Sequence, residues 1–332
     1  MLITPAFIPH PLLTGPHRMT LIPRWIPRPH LLKNVPGTDR RFWVDSDSQI
    51  AAKCHWQKHA NQHPTLLIIH GLEGCIDSHY MMGIAHKAWH SGINVVRLNQ
   101  RNCGGTEHLT PTLYHTGMSN DLRAIMTELI HHDQLSSLWI AGFSMGGNLT
   151  LKLAGEIGAT IPEIHGVVGV CPNIHPAACV EALQQPGNVI YHHYFLPRLK
   201  ARLRRKAQHF PGRWDLSKLS NIRSMRQFDD VFTAPDAGYR NAEEYYEQCG
   251  ARHVLHNIRI PTLIVTSRDD PFIPYETFRI DGIQSNPYIQ FIATDTGGHC
   301  GFLQQSRPSE DYFWIENRII QFVLAGARSK TL

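Results

Sequence analysis

No stretch of the sequence approaches the roughly 18 consecutive apolar residues that a membrane-spanning helix needs. The N-terminus also lacks the charged start, apolar block and cleavage site of a secretion signal. A cytoplasmic protein is therefore expected. Cysteine pairing signals are absent: Cys54, Cys75, Cys103, Cys171, Cys179, Cys249 and Cys300 are scattered, odd in number and include no C-x-x-C. That pattern indicates neither a disulfide framework nor a zinc site, and it suits a reducing compartment. No G-x-x-x-x-G-K-[ST] is present and no G-x-G-x-x-G follows a strand, which removes the usual phosphate- and dinucleotide-binding loops. The zincin pattern H-E-x-x-H is missing too. Histidine is abundant, at 22 residues, but the pairs His131-His132 and His192-His193 are adjacent. On a helix such neighbours point about 100° apart and rarely share one ion. Neither a metal nor a cofactor is expected. Charged residues make up 18% of the chain with a formal net charge of +5, too mild a balance to argue for nucleic acid. There is no internal repeat and no low-complexity tract.

What is present is an alternation. The 332 residues suffice for one large α/β domain or two small ones. Residues 1–38 are rich in proline between apolar residues, too apolar for a free tail, and read as an extended arm lying across the surface. Arg41–Asp45 and Ile50–Trp56 read as a hairpin or two edge strands. Thr65–Ile69, apolar on both faces, reads as a central parallel strand. Further strands are expected at Ile93–Asn99, Leu138–Ala141, Ile164–Val170, Pro261–Ser267 and Tyr288–Ala293. Helices are expected around Tyr80–Ser91 and Met118–His132. Strand alternating with helix implies an α/β fold, a mostly parallel sheet covered by helices on both faces.

Between Pro172 and Gly250 the alternation stops. The division expected is an arm over 1–38, a core over 39–172 and 251–332, and a helical cap over 173–250 inserted above the strand ends, where open α/β sheets bind ligands. Within the cap, Leu196, Leu199, Leu203, Ala207 and Phe210 recur at helical spacing. Between them lie Arg198, Lys200, Arg202, Arg204, Arg205 and Lys206. Such a helix suits anionic lipid or acidic substrates. The reading adopted packs its apolar stripe on the domain and leaves its charges in water, without membrane contact.

The chemistry concentrates at Gly142-Phe143-Ser144-Met145-Gly146, flanked by a strand and a helix, the context in which Gly-x-Ser-x-Gly acts as a nucleophile elbow. Lifting the hydroxyl off a sheet edge strains the serine backbone and requires neighbours without side chains. A serine needs a base, and the base an orienting carboxylate. Arg268-Asp269-Asp270-Pro271 and Gly298-His299-Cys300 follow successive strands in the order Ser, acid, His. Asp270 is preferred as the acid, because it leads through Phe272 and Ile273 to Pro274; Asp269 remains the alternative. The oxyanion donors expected are the backbone N–H groups of Met145 and Leu72. His70 is read as fixing its loop, and Cys300 as a packing thiol.

Together His70-Gly71-Leu72-Glu73-Gly74, Asn99-x-Arg101 with Gly104-Gly105, the elbow and Gly297-Gly298-His299-x-Gly301 resemble the α/β-hydrolase branch of YheT-type hydrolases and eukaryotic ABHD-type proteins. His17–Pro23 is similar to that family's N-terminal arm. Phe228-Asp229-Asp230, Thr233-Ala234-Pro235, Gly238-Tyr239 and Tyr245-Tyr246 are similar to its cap signature, although Cys249 stands where a serine is common. The resemblance implies the α/β-hydrolase fold and a serine carboxylesterase for short-chain acyl esters, with Ser144, Asp270 and His299 as the triad. The partner implied is a small-molecule or lipid-like ester. The rival readings are another acyl-bond hydrolase such as a lipase or thioesterase, a non-catalytic binder on the same scaffold, and a nucleic-acid binder using the basic helix.

Overall fold

A computed structural model of the protein describes residues 5–328; the outermost parts of the expected arm and core, residues 1–4 and 329–332, lie outside them. The order of the sheet follows from which strands can tolerate burial on both faces. β3 (Thr65–Ile69), β4 (Asn94–Leu98), β5 (Leu138–Phe143) and β7 (Thr262–Ser267) are buried at every position, which only interior strands allow. β1 (Thr38–Trp43) and β8 (Ile289–Thr294) keep partial exposure and form the edges. With β2 (Gln49–His55) and β6 (Ile164–Val170) they complete one eight-stranded sheet of order β1-β2-β4-β3-β5-β6-β7-β8. The β1–β2 and β2–β4 pairs are antiparallel and all others parallel, with Leu67 in register with Val96 on one side and Ile140 on the other.

Helices flank this sheet. α1 (Pro16–Leu21) lies in the arm, followed by α2 (His79–His90), α3 (Ser119–His131) and α4 (Met145–Ile157). α2 packs against the C-terminal helix Trp314–Arg328, and α3 against α4. Between β6 and β7 the described residues contain no strand. The segment holds α5 (Pro176–Leu183), α6 (Val189–His209), a short helix Met225–Phe228 that continues into a π-helical turn at Asp229–Thr233, and the helix Ala242–Cys249.

Two expectations need correction. The arm is not simply extended: Pro16 opens α1 at the first helical position, where a missing N–H costs nothing. Met19 on that helix is buried and packs with Leu303 and Phe313. Nor do all the charges of α6 face water. Arg202 is 5% exposed and Lys206 0%, because both follow the apolar stripe of Leu199 and Leu203 onto the core, each meeting polar partners there. Arg198, Arg204 and Arg205 are the exposed ones.

Candidate active site

Ser144 leaves the end of β5 with φ 54° and ψ −116°, a conformation that L-residues avoid unless the surroundings enforce it. The enforcement is backbone packing. Its N–H donates to Val170 O at 2.8 Å, and a Cβ on Gly142 would stand 2.1 Å from Gly146 O. On Gly146 a Cβ would stand 2.5 Å from His70 O. Only glycines fit those two places. α4 begins at Met145, directing its N-terminal end at the serine.

His299 sits in the loop after β8. Its Nδ1 is 2.7 Å from Asp270 Oδ2, and the Asp270 side chain is fully buried. Asp270 is itself anchored, its other oxygen accepting from the N–H groups of Phe272 at 3.1 Å and Ile273 at 3.0 Å. The neighbouring carboxylate does a different job: Asp269 Oδ1 accepts from Gly298 N–H at 2.8 Å and so holds the histidine loop. The arm contributes as well, for Thr20 Oγ1 accepts from His299 N–H at 2.8 Å. Burial pulls the His299 ring towards its neutral form, but the Asp270 carboxylate, and after it the Cys171 thiol, outweigh that and raise its pKa to about 9. Ser144 and His299 line one cleft of about 560 Å³, rimmed by Tyr191, Phe195 and Phe272. Among the described residues no hydrogen bond joins the hydroxyl to the ring.

Opposite the elbow lies the loop after β3. Gly71 N–H donates to the Tyr80 hydroxyl at 3.0 Å and Glu73 N–H to the Tyr114 hydroxyl at 3.2 Å. Between them Leu72 N–H, like Met145 N–H, finds no intramolecular acceptor among the described residues. Gly71 places this loop against the nucleophile: a Cβ there would lie 3.0 Å from Ser144 Cβ. His70 is fully buried, its Nε2 accepting from Gln100 N–H at 3.0 Å and its Nδ1 donating to Gly71 O at 2.7 Å. Burial lowers its pKa to about 4, so it is a neutral brace for the loop. Glu73, with φ 58°, pairs with the buried Arg202 of α6, whose guanidinium lies 4.1 Å from the Tyr114 ring centre. Behind Leu72 and Met145 is a second cavity of about 80 Å³ between core and cap, lined by Val180, Leu199 and Phe228 among others.

Sequence reasoning reached Ser144, Asp270, His299, Met145 and Leu72, and the structure gathers all five around this cleft and loop. It missed the roles of Thr20, Tyr80, Tyr114 and Arg202, each of which depends on a partner in a different element or loop. It also placed Cys300 in mere packing, whereas that side chain lines the cleft beside His299.

A mostly parallel sheet with a serine elbow at the end of β5 and an Asp–His pair in the loops after β7 and β8 defines the class of α/β hydrolases. A family model of the alpha/beta hydrolase fold matches residues 64–306, and the chain belongs to that family. Its place is in the YheT/ABHD branch. YheT of Escherichia coli, which carries an esterase designation, is 30% identical over 332 residues, covering 98% of this chain and 95% of that protein. The mouse phospholipase ABHD3 is 29% identical over 306 residues, 90% of this chain and 71% of that one. Among solved structures, an esterase of Pyrococcus furiosus aligns with TM-score 0.58 at 15% identity, over 98% of this chain and 97% of that one, a likeness of fold.

Proposed function

We propose that the protein is a serine esterase that cleaves short-chain carboxylic esters by a two-step acyl transfer. The observation that carries this reading is the strained Ser144 at the elbow, facing the same cleft as an imidazole held at 2.7 Å by a buried carboxylate. His299 Nε2 takes the Ser144 proton as the hydroxyl attacks the ester carbonyl, and Asp270 stabilises the imidazolium that forms. The free N–H groups of Leu72 and Met145 bind the oxyanion, each worth about 2.7–4 kcal/mol of barrier. The alcohol leaves with the proton from His299, and water, activated by the same ring, releases the acid.

Chain length follows from the two spaces. The cavity behind the oxyanion donors, at about 80 Å³, is much smaller than the open cleft of about 560 Å³. It takes a short acyl tail, and the wider aromatic-rimmed cleft takes the alcohol. YheT's esterase designation and the phospholipase name of ABHD3 support ester bonds as the target class.

Ser144→Ala is expected to abolish p-nitrophenyl acetate turnover and labelling by a fluorophosphonate probe; labelling that survives would refute the assignment. In a series of p-nitrophenyl esters of graded length, kcat/KM is expected to peak at the short acyl chains. A peak at long chains would assign the open cleft to the acyl group and favour a lipase.

A further inference from the structure

His299 has a second set of neighbours. Cys171, directly after β6, and Cys300, beside the histidine, bring their Sγ atoms and the imidazole nitrogen within 4.8 Å of one another. Sequence spacing hid this, since 129 positions separate the two cysteines. Cys171 is fully buried, while His299 and Cys300 open on the cleft. Three features match the surroundings of a metal centre. The donors are two sulfurs and one imidazole, a soft set that selects zinc-like ions over magnesium or calcium. His299 already directs Nδ1 at Asp270, which leaves Nε2 as the donor, the carboxylate–histidine arrangement found behind ligating histidines. Cys171 Sγ also accepts a hydrogen bond from Cys300 N–H at 3.4 Å, the kind of outer-shell contact that steadies a sulfur ligand.

We propose that Cys171, His299 and Cys300 form a binding site for a zinc-class divalent cation, which switches the esterase off by occupying the nitrogen that serves as its base. Binding releases both thiol protons to solvent, so two thiolates balance the charge of the ion and Nε2 donates its lone pair. The three atoms then need to close to the spacing set by Zn–S distances of about 2.3 Å and Zn–N of about 2.0–2.1 Å. The fourth position faces the cleft and is open to water. Inhibition follows from exclusion: the same lone pair cannot hold a metal and accept the Ser144 proton. This consequence rests on the esterase reading, whereas the site itself does not.

The test uses the full chain, reduced and freed of metal by chelation, titrated with Co²⁺ and then with Zn²⁺. An equimolar Co²⁺ complex with a thiolate-to-cobalt charge-transfer band and the intense visible bands of a tetrahedral site is expected, and Zn²⁺ should displace it. Asp270→Asn should weaken the complex by about 10–100-fold. Turnover of a short-chain ester should fall in step with occupancy and return on adding chelator. Cys171→Ser and Cys300→Ser, each compared with its own metal-free activity, should lose both the band and the inhibition. No charge-transfer band in the native chain, or a band that survives in the double cysteine variant, overturns the site. A band without inhibition overturns the switch. A chain with no metal-free esterase activity refutes the esterase reading, and the band then judges the site alone.

Discussion

At the scale of single residues, two adjacent carboxylates divide one task. Asp270 meets the imidazole, while Asp269 turns the other way to hold Gly298 N–H. The division makes opposite forecasts for the pair. Asp270→Asn keeps the shape but withdraws the charge that, in the proposed reaction, stabilises the imidazolium, and kcat is expected to fall about 10⁴-fold, as for the same change in the Ser-His-Asp template. Asp269→Ala leaves one buried N–H unsatisfied and should cost about 1–3 kcal/mol of stability, read by urea denaturation, with a much smaller change in kcat. Equal losses of kcat in the two variants would contradict the division.

At the scale of elements, α6 is the link between cap and chemistry. Arg202 reaches from it to Glu73, next to the Leu72 N–H proposed as an oxyanion donor. Arg202→Met strands a carboxylate that is only 9% exposed, a loss of about 3–5 kcal/mol. Thermal denaturation should show the double variant Arg202→Met/Glu73→Gln recovering much of that loss, and ester turnover should remain low in both if the pair positions the loop. One turn further along, Lys206 donates to Asn102 Oδ1 and Thr110 O, each at 2.5 Å. Burial lowers its pKa to about 7, against an ordinary 10.5. Between those values the unfolded chain binds a proton that the folded chain lacks, so stability rises with pH across that window. Lys206→Met should flatten the rise in unfolding free energy measured over the same range; an unchanged slope would mean that other groups produce it.

At the scale of the whole molecule, buried ion pairs tie distant segments to the sheet. Arg101, after β4, forms a two-pronged pair with Asp121 of α3 at 2.7 and 2.6 Å and reaches Asp45 of the β1–β2 turn at 2.8 Å. The motif Asn99-x-Arg101 thus has a structural explanation: one guanidinium fastens the hairpin, the central strands and a flanking helix together. Arg101→Ala leaves Asp121 buried and unpaired and is expected to cost about 3–5 kcal/mol in urea denaturation. The arm is tied down in the same manner, with Arg28 paired to Glu316 of the C-terminal helix at 2.5 and 2.8 Å. No helix among the described residues is long and apolar enough to cross a membrane.

The strands, and the serine, acid and histidine placed at their ends, were legible because each is local: an apolar run of five residues, a glycine two places from a serine, an acid or histidine closing a strand. Periodicity and turn chemistry act over a few residues, so the sequence carries them openly. What the linear chain could not disclose were meetings between positions far apart, such as Thr20 with His299, Arg202 with Glu73 and Cys171 with Cys300. Nor could helical spacing alone tell which cations of α6 would be buried, because that depends on the carboxylate or carbonyl awaiting each one across the interface. Local patterns fixed the sheet and its elbow; packing of the arm and cap onto that sheet decided the surroundings of the histidine.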